Sequence, residues 1–498
     1  MNSFFLQTIK LMFNFILLMN PSKSSNLNVK DLSFINGIKS MAVIGPSKKR
    51  NYFFLFNHQE NFKGNLYAVH PTVKEIPNFP SENIYPSIRD IPGNVDFAFI
   101  TVPAAQVVKV IDECAEKGVK LVSIFSAEFS DSGTEEGRRL EKEVIQRAQN
   151  KVRILGPNGM GLFYPRLGIA WRSKFPTVPG NIGFIGQSGG LCNIAIYTAK
   201  EMGIHFSKVF SFGNAADIDF VDLLYFLIND PETDIILCYL EGIKENRVLP
   251  LRQILSNANK PIVVLKGGKS VSGKLATKTH TASLSGDSKI WESLFKQYNL
   301  IEVETLEQLV YTGRLIDFYG INNLKNIAVF SISGGYGVVL TDLLEKYGMK
   351  VPYFSPKIQE KLDEKFFVNG TSSKNPLDVA AQLFRSRSIV EIIELALSDT
   401  KIDALVMDLP SWYFDPEYFI IHDDDDDNFE VNILQALSLG HKYKKPLIPI
   451  IERAHCPEES YRISRILAKR RVPVFGDPLE FIPLLPKISN YKKKLDKL

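Results

Sequence analysis

A chain of 498 residues, 45% hydrophobic and 23% charged, is long enough for roughly three domains with real cores. Lys plus Arg number 59 against 55 for Asp plus Glu, a formal charge of +4, which is too small an excess to call for a nucleic-acid partner. The four cysteines, Cys114, Cys192, Cys238 and Cys456, form no CxxC pair. The first three stand in apolar periodic segments and read as small buried hydrophobes in a reducing, cytoplasmic setting, with no metal site and no disulfide.

In chain order, residues 1–30 come first as a leader. Phe4 to Met19 is apolar but interrupted by Gln7, Lys10 and Asn14, and is short of the ~20 residues that a spanning helix needs. It reads either as a segment upstream of a start at Met19 or as an interfacial amphipathic anchor. The first reading is preferred, because no cationic face accompanies it and no firm membrane association follows. Residues 31–165 alternate short apolar strands with helices. The strands are Met41–Gly45, Asn65–Val69, Val95–Ile100, Leu121–Phe125 and Val152–Gly156. Between them, Val107, Val108, Ile111 and Cys114 recur at helical spacing and Gly118 stops the run.

A second block, 176–320, carries strands at Gly180–Gly186, Lys208–Phe212, Asp234–Leu240 and Pro261–Leu265. The third, 325–486, repeats the pattern at Asn326–Ser331, Ile402–Met407 and Leu447–Ile451. Strands alternating with helices in this way predict α/β architecture, three doubly wound parallel-sheet domains. Asp423 to Asp427 reads as a solvated loop, with a hard-cation site as the alternative. Residues 487–498, Lys-rich, read as a solvated basic tail.

Candidate chemistry sits on strand-to-helix turns, where free backbone N–H groups collect anions. Gly186-Gln187-Ser188-Gly189-Gly190 is the clearest, with a tight turn and serine cap as the plain alternative. Ser333-Gly334-Gly335, Gly45-Pro46-Ser47 and Gly156-Pro157-Asn158 have the same character. His280 lies in a stretch dense in Gly, Ser, Thr and Lys with no apolar period. That stretch is predicted to be an exposed loop on which an imidazole can act as a nucleophile. Glu241 ends an apolar strand. It is placed either to orient His280 or to begin a helix.

Taken in order, Val43-Ile44-Gly45-Pro46-Ser47, Thr101-Val102-Pro103, Leu155-Gly156-Pro157-Asn158, Gly186 to Leu191, Ser211 to Asp217, Tyr239-Leu240-Glu241-Gly242, Thr279-His280-Thr281 and Asn375-Pro376-Leu377-Asp378 resemble the NDP-forming acyl-CoA synthetase family. The resemblance is to the alpha subunit of the ADP-forming acetate–CoA ligase type, a relative of succinyl-CoA synthetase, and runs from about Asp31 to Pro486. It implies a Rossmann-like CoA-binding domain followed by two flavodoxin-like domains. It implies that His280 is transiently phosphorylated, that Glu241 steadies it, and that Gln187, Ser188, Gly189 and Gly190 hold phosphate. Gly45, Pro46, Ser47, Lys48, His70, Pro71, Val102, Pro103 and Asn158 would line the CoA site. It also implies an ATP-grasp beta subunit as partner, holding Mg²⁺ and ADP or ATP, in a hetero-oligomer that acts on a small acyl-CoA or carboxylic acid.

The sequence departs from the family in two places. Ser47 is followed by Lys48-Lys49-Arg50-Asn51-Tyr52-Phe53-Phe54 rather than a small, glycine-rich run. The family's Gly-Pro-Asn-Cys is Gly156-Pro157-Asn158-Gly159 here. The expected activity is acyl-CoA + ADP + phosphate to acid + CoA + ATP, reversibly. The alternative is a CoA-binding regulatory protein of the same fold that has lost turnover.

Overall fold

The computed structural model describes residues 27–149, 151–281, 288–380, 386–415, 429–454 and 456–496. Residues 1–26 of the leader and the Asp423–Asp427 run lie outside them. Three sheets stand where three blocks are expected. The first contains β1 (Ser40–Ile44), β2 (Asn65–Val69), β3 (Ile84–Tyr85), β4 (Phe97–Ile100), β5 (Leu121–Ile124) and β6 (Arg153–Leu155), all parallel, in the order β3-β2-β1-β4-β5-β6. Every residue of β1, β4 and β5 is buried, because helices cover both faces. The strands therefore read as unbroken apolar runs rather than as alternation. The strand order reverses between β1 and β4, so a crevice opens beyond their C-terminal ends.

The second sheet holds β7 (Gly161–Phe163), β8 (Ile182–Gly186), β9 (Phe206–Ser211), β10 (Ile235–Leu240), β11 (Ile262–Lys266) and β12 (Ile301–Val303), in the order β12-β11-β10-β8-β9-β7. Apart from β7, which runs antiparallel to β9, this is the flavodoxin-like order, with its reversal between β8 and β10. Because β7 pairs with β9, the chain joins the second sheet from residue 161. The third sheet is β14-β13-β15-β16, from β13 (Ile327–Ser331), β14 (Leu377–Asp378), β15 (Ala404–Asp408) and β16 (Leu447–Ile450). It is again parallel, and a bridge from Ile450 to Phe475 extends it.

One apolar cluster runs through all three blocks, joining Phe99, Phe184 and Ile448. The helix Leu306–Tyr319 is buried over most of its length: Gly313 packs against Leu237 of the second sheet, and the Tyr319 hydroxyl donates to the Leu447 carbonyl of the third at 2.8 Å. Its Arg314 donates from Nη1 to the Val474 carbonyl at 2.8 Å, and burial draws its guanidinium down to about 10. The first and second blocks are joined by polar contacts. Asn57 Nδ2 donates to the Trp171 carbonyl at 2.9 Å, and Asn214 Nδ2 donates to Asp131 Oδ1 and Glu141 Oε2, each at 2.9 Å.

Two expectations need correction. The segment read as a solvated basic tail forms the helix Leu485–Leu495, with Leu485, Ile488 and Tyr491 buried. Those three share one helical face, which the run of lysines on the other face masks in the sequence. His280 does not stand on a loop: it falls in the helix Val271–Thr281. That helix has few apolar positions, so no period announced it. Among the described residues, no helix is long and apolar enough to cross a membrane.

Candidate active site

At the end of β1 the chain must turn while passing within contact distance of the end of β4. Gly45 does this at φ +82°, and a Cβ there would lie 2.5 Å from Val102 Cγ1. Only glycine meets both demands. Thr101 Oγ1 donates to the carbonyls of Ile44 (3.0 Å) and Gly45 (2.9 Å), which ties the two strand ends together. A cavity of 840 Å³ opens above them, lined by Gly45, Pro46, Ser47, His70, Pro71, Val102 and Pro103, all expected from the sequence. Its cations are Lys49, Arg50 and Lys109; the expected Lys48 is exposed and does not line it. His70 Nδ1 accepts from the amides of Thr72 (3.3 Å) and Val73 (3.2 Å). Its proton therefore sits on Nε2, which can donate to an anion.

The unusual aromatic run after Ser47 is largely absorbed by the core. Tyr52 and Phe54 are buried, and the Phe54 ring packs against Phe99 and Phe125 at centroid separations of 5.1 and 4.6 Å. Phe53 alone of the three stays exposed at the cavity, with the Arg172 guanidinium 5.9 Å from its ring centre. Gly159, the second departure, packs so closely that a Cβ would come 2.6 Å from the Ser211 carbonyl oxygen.

A second cavity, of 950 Å³, lies between the first and second blocks. It brings Gln187, Ser188, Gly189 and Gly190 together with Glu241 and with Asn158, which belongs here rather than in the first cavity. Ser188 caps the helix Gly189–Glu201, its Oγ accepting from the Leu191 amide at 3.4 Å. The amides of Gly189 and Gly190, ahead of the first intrahelical bond, have no acceptor among the described residues and suit an anion. Glu241, 8% exposed, is clamped at both backbone polar atoms: its N–H donates to Gln187 Oε1 (3.0 Å) and its carbonyl accepts from Lys266 Nζ (2.7 Å). Tyr239 Oη donates to Glu241 Oε1 at 3.0 Å. Burial lowers the Lys266 ammonium to about 8, although the neighbouring Glu241 opposes the shift.

The helix Val271–Thr281 borders this cavity with Gly273, Ala276 and Thr277. His280 follows Ala276 by four positions and Thr277 by three, the spacing that shares one helical face. Its side chain lies outside what the structure describes. The third-block turn, Ser333-Gly334-Gly335, opens the helix Gly334–Lys346 and lines neither cavity. Burial pushes the nearby Asp408 up to about 6, with Ser331 Oγ donating to its Oδ2 at 3.0 Å. Sequence reasoning missed Tyr239, Thr101 and Lys266. The signal for Lys266 is a charged group at the end of an otherwise apolar buried strand, whereas Tyr239 reads as one more core aromatic.

Known proteins resemble this chain along nearly its whole length. The CoA binding domain family matches residues 39–165, and the Succinyl-CoA ligase like flavodoxin domain family matches residues 179–316. The chain is 36% identical over 470 residues to the Acetate–CoA ligase [ADP-forming] I subunit alpha of Pyrococcus furiosus, covering 91% of this chain and 96% of that one. To the Acetate–CoA ligase [ADP-forming] I of Archaeoglobus fulgidus it is 35% identical over 373 residues, 74% of this chain and 53% of that protein. The chain thus spans about half the length of that relative, and likewise 49% of the Methanocaldococcus jannaschii Acetate–CoA ligase [ADP-forming]. Among solved structures, the Ca. Korarchaeum cryptofilum dinucleotide forming Acetyl-coenzyme A synthetase 1, in complex with phosphate and ADP, superposes with a TM-score of 0.78 at 27% identity, covering 93% of this chain and 97% of that one. Matched by both domain families and 36% identical over 470 residues to such an alpha subunit, the chain belongs to the NDP-forming acyl-CoA synthetase family.

Proposed function

We propose that this chain is the CoA-binding and phosphohistidine-carrying subunit of an ADP-forming acyl-CoA synthetase of the acetate–CoA ligase type. The observation that carries the reading is that the two cavities adjoin. Arg50, Thr101, Val102 and Pro103 line both, so a thioester anchored at the first switch point can reach the Gln187–Gly190 turn. CoA fits the first cavity chemically: Lys49, Arg50 and the Gly45 turn face its phosphates, and the His70 Nε2 proton offers another donor.

Phosphate held by the Gly189 and Gly190 amides attacks the thioester carbonyl carbon. The C–S bond breaks, CoA leaves as the thiol, and an acyl phosphate remains. A ring nitrogen of His280 then attacks phosphorus, the P–O bond to the acyl group breaks, and the free acid departs. Glu241 stabilises the charged imidazole, while helix-end amides stabilise the charge on the phosphoryl oxygens. The phosphoryl group passes to ADP on an ATP-grasp partner subunit, where Mg²⁺ would neutralise the developing charge.

Labelling tests the proposal. Protein incubated with acetyl-CoA and ³²P-phosphate is expected to acquire acid-labile, base-stable label, which His280→Ala abolishes. Undiminished labelling of His280→Ala overturns the assignment, and an unlabelled wild type returns the regulatory alternative.

A further inference from the structure

We propose that Tyr239 is a positioning residue for Glu241, fixing the rotation of the carboxylate that serves the phosphohistidine. The inference rests on the function proposed above and adds a residue to it. Tyr239 and Glu241 stand two apart at the end of β10, the strand period that turns both side chains to one side. There the Tyr239 hydroxyl donates to Glu241 Oε1 at 3.0 Å, at the border of the larger cavity.

The contact falls on the carboxylate, not on the backbone. The Glu241 N–H is held by Gln187 Oε1 and its carbonyl by Lys266 Nζ, at 3.0 and 2.7 Å, so the backbone is fixed. The hydroxyl, bonded to Oε1, acts on the side-chain torsion. Space for the ring comes from Gly267, where a Cβ would lie 2.9 Å from Tyr239 Oη and 3.4 Å from Cε2 and Cζ. Burial and the adjacent carboxylate both push the phenol well above its ordinary range, which keeps it a proton donor. An orienting group of this kind commonly changes activity by ~10-fold or more when removed.

Tyr239→Phe keeps the ring and deletes the donor. Rapid-quench labelling of the full chain with acetyl-CoA and ³²P-phosphate would compare the wild type, Tyr239→Phe, Glu241→Gln and the double variant. Tyr239→Phe is expected to slow label formation about 10-fold, with half-saturating acetyl-CoA and phosphate unchanged. In the Glu241→Gln background it should add nothing, because its effect passes through that carboxylate. A wild-type labelling rate in Tyr239→Phe overturns the inference. So does an equal slowing in both backgrounds, or an effect confined to half-saturation. If the wild type takes no label, the proposed function itself fails and this inference with it, an outcome distinct from the other three.

Discussion

His58 lies wholly inside the first block, on the helix Phe53–Gln59, with the Phe99 ring 5.3 Å from its own. Neither ring nitrogen has a hydrogen-bond partner among the described residues, and burial lowers its pKa from 6.5 to about 3. Below pH 6.5 the unfolded chain therefore binds a proton that the folded chain refuses. Stability falls as the pH drops from 6.5 toward 3, and above 6.5 His58 adds no pH dependence. The limiting slope is about 1.4 kcal/mol per pH unit. Going from pH 7 to pH 5, the wild type should lose about 2 kcal/mol more than His58→Leu. Urea titrations of both proteins at the two pH values check this, and parallel losses would contradict it. This histidine carried no signal in the sequence: burial depends on what packs around a residue, and Phe99 is distant in the chain. Glu241 was legible because it breaks an apolar strand. Tyr239 was not, because an aromatic there reads as another core residue.

Among the elements, the strand-to-helix turns carried the clearest message. Apolar runs ending in glycine mark β1 and β8 to within a residue or two, since a strand buried on both faces has no polar positions to spare. The short strands β3, β7, β12 and β14 went unread. At two or three residues each they hold too few positions for any period. The turn after β1 yields a direct test. Gly45→Ala meets both a positive φ of +82° and a contact 2.5 Å from Val102 Cγ1, with the Val102 backbone nitrogen at 3.2 Å. We expect a stability loss on the order of 1–3 kcal/mol and weaker CoA binding. Adding Val102→Ala removes the side-chain clash but leaves the backbone strain, so the double variant should recover only in part. Thermal melts and calorimetry with CoA measure both effects. Full recovery would assign the cost to packing alone.

For the whole molecule, the division of labour can be tested in solution. Lys49, Arg50 and Lys109 line the first cavity, where they would meet the phosphates of CoA. CoA affinity measured by calorimetry should therefore weaken as salt rises and the Debye length shortens from about 10 Å at 0.1 M. The purified chain should form phosphohistidine yet release no ATP from acetyl-CoA, phosphate and ADP until an ATP-grasp partner is added. ATP made by the chain alone, in a coupled assay, would refute that separation.

By itself the sequence determined the class of the fold and the location of its turns. Both follow from local physics: apolar periodicity records how many faces of an element are buried, and glycine records where the backbone passes closely or turns against its preference. The ordered motifs added the family, and with it His280 and Glu241. Tertiary structure decided the rest. It placed the Gln187–Gly190 turn and Glu241 on one cavity, joined that cavity to the Gly45 crevice through Arg50 and Val102, and set Tyr239 and Lys266 around the Glu241 carboxylate and backbone. It also turned the expected histidine loop into the helix Val271–Thr281 and docked the lysine-rich end onto the second block, where Asn299 Nδ2 donates to the Tyr491 carbonyl at 3.1 Å. These are contacts between residues far apart in the chain. A spacing rule extends only as far as the element that obeys it, and nothing local encodes which elements will meet.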